Sequence, residues 1–189
     1  MTTERKFCRF SSTAAVASGR VDDPPFGMKS PPDGGMCLSA FLVISEEENP
    51  NAILMGHLNE SAAWDHIGAL DESRVRAHSK GWMLPSSHLI VHESPQEAAR
   101  RILKEQLNLP TLEVSEPKVV SEVYRPKRFQ DLPDHWDIEF IFFGNLPQEK
   151  LRKPFAWADL KFVDIPNTKR EEIARSHDEI LESLGFKIG

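Results

Sequence analysis

GWMLPSSHLIVHESPQEAARRILKEQLNL, residues 81–109, contains a helix together with its start and stop signals. Ser94 stands where an N-cap belongs, Pro95 at the first helical position, and Glu97 where it closes a capping box. A side-chain oxygen and a preset φ are what the first turn of a helix needs. Ala98, Ala99, Ile102, Leu103 and Leu107 recur at helical spacing and form one apolar stripe. The pattern predicts a helix to about Leu107, with Asn108 in its C-terminal turn and Pro110 preventing continuation. HLIV, residues 88–91, reads as a short strand before it. At about 100° per residue, positions 102, 105 and 106 share one arc of roughly 100°. That arc carries an aliphatic, a carboxylate and an amide: Ile102, Glu105 and Gln106. Gln106 interrupts the apolar stripe and needs a hydrogen-bond partner if buried.

On the upstream side, MCLSAFLVIS (36–45) and AILMGHL (52–58) read as two strands around the turn-like run EEENPN. On the downstream side, residues 118–124 and 159–165 read as strands, and HWDIEFIFFG (135–144) as a long one. In the long strand Trp136, Ile138, Phe140 and Phe142 share one face, and Asp137, Glu139, Ile141 and Phe143 the other. Thr168 and Glu171 repeat the capping-box spacing. Ile173, His177, Ile180, Leu181 and Leu184 then follow at helical intervals, so a C-terminal amphipathic helix is expected, with His177 a satisfied core or interface histidine. Residues 1–35 read as an extended or partly disordered arm, which Phe7, Phe10, Val16 and Phe26 could order against a partner or in a domain swap. The domain proper is 36–189. Its element order predicts an α/β (α+β) fold, a mixed sheet between helices.

Composition narrows the functions. The 189 residues carry 23 Lys and Arg against 29 Asp and Glu, a formal charge of -6, which argues against nucleic acid held by phosphate neutralisation. The run from Tyr124 to Arg128 is a local basic exception, most simply a solvated loop. No apolar run is long enough to span a membrane, and the first residues lack the layout of a signal peptide. Cys8 and Cys37 are far apart and outside any metal-ligand spacing, so a reducing cytoplasm is the expected setting.

Residues 81–109 resemble the Nudix box, G-x5-E-x7-R-E-U-x-E-E-x-G-U with U a bulky aliphatic, aligned from Ser87 to Leu109. Glu93, Arg101, Leu103, Glu105 and Leu109 match it; Ser87, Ile102, Gln106 and Asn108 replace Gly, Glu, Glu and Gly. The preceding W-x-L-P and the later H-W-x-I-x-F strand are similar to the family as well, extending the likeness over roughly residues 35–184. The resemblance implies a Nudix-type mixed β-sheet sandwiched between helices. It also implies Mg²⁺- or Mn²⁺-assisted hydrolysis of nucleoside diphosphates linked to another moiety. A hard cation needs convergent oxygen ligands, and here one anion stands where the pattern has three. A further carboxylate implied near the later tryptophan is matched by Ala156, before Trp157.

The resemblance therefore gives Glu105, Glu93 and Arg101 as catalytic candidates, with Glu105 the one metal ligand and Ser86, Ser87, Ile102, Gln106 and Glu139 as lining of a remnant pocket. Each has a plainer reading. Glu93 and Arg101 can be an ion pair fixing the loop on the helix, and Glu105 a solvated helix residue. His88 and His92 could hold a softer metal such as zinc, and Asp137 and Glu139 could replace lost carboxylates. Two functions compete: a diphosphohydrolase of weak or lost activity, and a non-catalytic module binding a nucleotide ligand or a protein. The partner expected is a small phosphorylated or nucleotide ligand, and a homodimer is compatible with the arm. If the helix arc faces a pocket, restoring glutamate at 102 and 106 raises Mg²⁺ affinity.

Overall fold

The computed structural model describes residues 9–10, 35–124 and 135–189. Most of the expected N-terminal arm, and the basic run after Tyr124, lie outside the described residues. The strands are β1 (Arg9–Phe10), β2 (Met36–Glu46), β3 (Ala52–Leu58), β4 (Ser86–His88), β5 (Lys118–Tyr124), β6 (His135–Leu146) and β7 (Trp157–Asp164). The helices are α1 (Trp64–Ile67), α2 (Glu72–His78), α3 (Pro95–Glu105) and α4 (His177–Ser183). The strand order is β5-β6-β2-β3-β7, with β1 and β4 also paired to β2. β2 runs parallel to β6 and antiparallel to β3 and β4, so the sheet is mixed.

Strand alternation divides the core in two. Ala40, Leu42 and Ile44 of β2 and Phe142 of β6 pack with Ala98, Ala99, Ile102 and Leu103 of α3, beside Trp64 and Val75 from α1 and α2. Phe41 and Val43 of β2 and Ile141 of β6 face the other way, onto Ile180 and Leu181 of α4. A sheet with both faces buried between helices is the arrangement expected from the element order.

α3 begins as its sequence dictates. The Ser94 Oγ accepts from the Glu97 amide at 3.2 Å, and the Ser94 amide donates to Glu97 Oε2 at 2.8 Å. It ends two residues short of the expected Leu107, with Gln106 as C-cap. Asn108 has φ 56°, so the family's second Gly is replaced by a residue that tolerates the left-handed conformation. The short strand lies at Ser86–His88 rather than 88–91, because pairing to Ser39–Phe41 of β2 fixes it there. The polar run 71–80 carries no apolar helical stripe, yet α2 forms there, capped by Asp71, which accepts from the Arg74 amide at 2.9 Å.

The C-terminal helix is shorter than its periodicity suggests, and Thr168 does not cap it. Two 3-10 turns, Ile165–Asn167 and Arg170–Glu172, precede it, and the Thr168 hydroxyl donates to the Asp164 carbonyl at 2.7 Å. Ile173 instead forms a parallel bridge with Trp82, and Arg175 and Ser176 both take positive φ, which prevents a helix before His177.

His177 is a satisfied core histidine. It is buried, and its Nδ1 accepts from the Leu84 amide at 2.9 Å. Burial, then the charges of Arg175 and His78, hold its imidazole well below the ordinary 6.5. Below that value the unfolded chain binds a proton that the folded one excludes, so stability is present above pH 6.5 and is lost as pH falls. The expected slope is up to about 1.4 kcal/mol per pH unit. His177→Gln keeps an acceptor for Leu84 without titrating. Urea unfolding between about pH 6.5 and 5 should be flatter in this variant, and equal slopes would remove His177 as the cause.

Candidate functional site

The loop between β4 and α3 is fastened by one ion pair. Arg101 Nε donates to Glu93 Oε1 at 2.7 Å and its Nη2 to Glu93 Oε2 at 2.8 Å, with side chains only 9% and 11% exposed. Arg101 also donates to the His88 carbonyl at 2.9 Å and to Ser87 Oγ at 3.2 Å. Glu93 Oε2 accepts in addition from the Ile90 amide at 2.9 Å. The pair thus brings together three of the candidate residues, Ser87, Glu93 and Arg101, and each polar atom named has a structural partner.

The arc of α3 is not a polar wall. Ile102 is wholly buried among Ala40, Leu42, Leu54 and Phe142. Gln106 is wholly buried too, with its amide fully used: Nε2 donates to the Ser86 carbonyl at 2.8 Å and the Ile67 carbonyl at 3.0 Å, while Oε1 accepts from the Ser86 amide at 3.2 Å. The partner that Gln106 needs is therefore backbone, from the first residue of β4 and the end of α1. Over the same helix end, Trp157 Nε1 donates to the Gln106 carbonyl at 2.8 Å, and Trp64 packs edge-on to Trp157 with centroids 5.0 Å apart. Gly56 makes room, since a Cβ there would overlap the Trp157 ring. Ala156, at the position implied for a further carboxylate, is buried and accepts from the Asn59 amide at 3.0 Å.

Glu105 is partly exposed at the end of α3. The donor set around it does not fit a resident Mg²⁺ or Mn²⁺, which needs several convergent oxygens. Ile102 supplies none, and the Gln106 oxygen is turned into the Ser86 backbone. Among the described residues, Glu105 joins no group of three potential metal ligands.

The opposite face of the sheet carries a second set of polar groups. Asp137 and Glu139 share the parity of Ile141, which puts them on the α4 side, away from α3. They therefore lie across the sheet from the α3 arc of Ile102, Glu105 and Gln106. Glu139 is buried, 6% exposed, and burial first, then Asp137 and Glu122, push its carboxyl up to about 8. It pairs with Ser39 of β2, whose Oγ lies 3.0 Å from His88 Nδ1. Asp137 pairs with Cys37, and its Oδ2 lies 3.1 Å from His135 Nε2. Cys37 is buried and belongs to no local motif; it meets His135 and Asp137 only because β2 and β6 align in parallel. His92 is exposed with φ 72°, turned out of β4, and joins no metal-capable group with His88 among the described residues. None of the described helices is long and apolar enough to cross a membrane.

Comparisons with known proteins give the fold. No family model matches the chain, and no curated protein does. Solved structures do, at low identity. The E. coli dihydroneopterin triphosphate pyrophosphohydrolase aligns with TM-score 0.53 and 15% identity, over 79% of this chain and 94% of that one. The NUDIX domain of Shewanella oneidensis NrtR, solved with ADP ribose, aligns with TM-score 0.53 and 13% identity, over 93% and 97%. A MutT protein from Methanosarcina mazei Go1 aligns with TM-score 0.53 and 14% identity, over 86% and 94%. Nearly the full length of each is matched. With its loop, Glu93–Arg101 clasp and α3 in place, this chain has the Nudix fold.

Proposed function

We propose that the chain is a Nudix-fold module that binds a small phosphorylated or nucleotide ligand and does not hydrolyse it at enzymatic rates. The observation that carries this reading is the complete burial of Ile102 and Gln106, which leaves Glu105 as the single carboxylate of the helix arc. Metal-assisted attack on a diphosphate depends on a cation that both lowers the pKa of water and neutralises developing phosphate charge. One glutamate beside an aliphatic and a committed amide supports neither. Binding is supported by the fold, one example of which, the NrtR domain, holds ADP ribose.

The experiment pairs binding with turnover. Titrating the purified full chain with ADP ribose by calorimetry should give saturable heat, and incubation with Mg²⁺ or Mn²⁺ should leave the ligand intact. Turnover of ADP ribose, a dinucleoside polyphosphate or a nucleoside triphosphate at about 1 s⁻¹ or faster would show that the site retains its chemistry. Absence of binding by all of these would favour a protein partner instead.

A further inference from the structure

We propose that Cys37, His135 and Asp137 form a binding site for a borderline-soft divalent cation of the zinc class, with a fourth position open to water or an anion. This proposal does not depend on the ligand reading above. The Cys37 sulfur, a His135 ring nitrogen and an Asp137 carboxylate oxygen all lie within 4.8 Å of one another. Around a tetrahedral ion with bonds of about 2.0–2.3 Å, ligand atoms stand about 3.3–3.8 Å apart. Side-chain adjustments of about 1 Å therefore close the triad on an ion. Thiolate, imidazole and carboxylate are the donors that this class of metal selects over Mg²⁺, and three protein ligands leave one position free.

The framework is stiff where it needs to be. Cys37 and Asp137 are direct partners in the β2–β6 ladder, and His135 stands two residues before Asp137 on the same strand face. Cys37 is buried, while the His135 and Asp137 side chains are 26% and 16% exposed, so solvent reaches the triad from one side. The electrostatic setting suits a cation. Glu122 faces Asp137 across β5–β6, which puts a second carboxylate next to Asp137 on that patch of the sheet. Arg175 is the opposing charge, within electrostatic range of both Asp137 and Cys37. A dication balanced by one thiolate and one carboxylate is neutral overall, so Arg175 faces a site without net charge once it is loaded.

Cobalt reads this site directly. Cys8 is the other cysteine of the chain, so the full-length Cys8→Ser protein is stripped of metal and titrated with Co²⁺. The expected result is a thiolate-to-cobalt charge-transfer band and tetrahedral visible bands, saturating at one equivalent. Zn²⁺ should displace both, and excess Mg²⁺ neither. Asp137→Asn should weaken Co²⁺ binding by about tenfold or more, because it removes an anionic ligand. Cys37→Ser should abolish the charge-transfer band. Circular dichroism of the metal-free proteins checks that each is folded. No thiolate band in folded Cys8→Ser protein would overturn the proposal without recourse to any site variant. So would Co²⁺ affinity left unchanged in folded Asp137→Asn protein.

Discussion

Ile102→Glu, the substitution that brings the helix arc closer to the full Nudix pattern, is expected to destabilise the protein by at least about 4 kcal/mol at pH 7 and to create no Mg²⁺ site. Ile102 has no exposed surface and packs in the α3-side core. Removing a buried aliphatic side chain alone costs about 2–5 kcal/mol, and a carboxylate placed there without a partner costs several more. With total stabilities of about 5–15 kcal/mol, the variant is near the threshold of unfolding. The sign of its pH dependence is fixed. Burial raises the new carboxyl's pKa above its unfolded value, so the penalty is largest above the raised pKa and shrinks as pH falls. Urea unfolding at pH 7 and pH 5 should show the deficit narrowing at the lower pH, relative to wild type. This is the reverse of what helix spacing alone predicts for position 102. A variant as stable as wild type that also bound Mn²⁺ more tightly would show that this residue faces a pocket.

Arg101→Met is expected to cost about 3–5 kcal/mol, because it strands Glu93 as a nearly buried carboxylate without its guanidinium. The Glu93 side chain is 11% exposed and keeps only the Ile90 amide among its described partners, while the His88 carbonyl and Ser87 hydroxyl lose a donor. Glu93→Gln in the same chain should recover part of the loss by removing the uncompensated charge. The double-mutant cycle should therefore show a coupling well above the fraction of a kcal/mol typical of exposed pairs. Coupling at that exposed-pair level would mean the clasp is not what fastens the loop.

Some of this was legible in residues and some was not, for physical reasons. Ser94, Pro95 and Glu97 act within one turn of chain, so the start of α3 could be read at residue precision, and β3 likewise from its continuous apolar run. The start of α4 is hidden from local pattern because Ile173 keeps the spacing of a helical stripe while pairing with Trp82, a contact 91 positions away. Burial of Gln106 requires a partner, but which atoms supply it depends on where the end of α1 at Ile67 and the start of β4 at Ser86 come to lie. The triad of Cys37, His135 and Asp137 was invisible. Its two strands are far apart in sequence, and only the parallel register aligns them.

That same register has a kinetic side. Every pair from Met36↔Trp136 to Glu46↔Leu146 joins residues one hundred positions apart, and these eleven pairs form the longest ladder of the sheet. Closing so large a loop costs entropy before any pairing repays it, and topologies dominated by such contacts reach the native state slowly. β2 can complete its ladder with β6 only after residue 146 has been synthesised, so until then β1, β3 and β4 are its available partners. The central strand of this fold is thus among the first long strands made and the last to gain its long parallel neighbour.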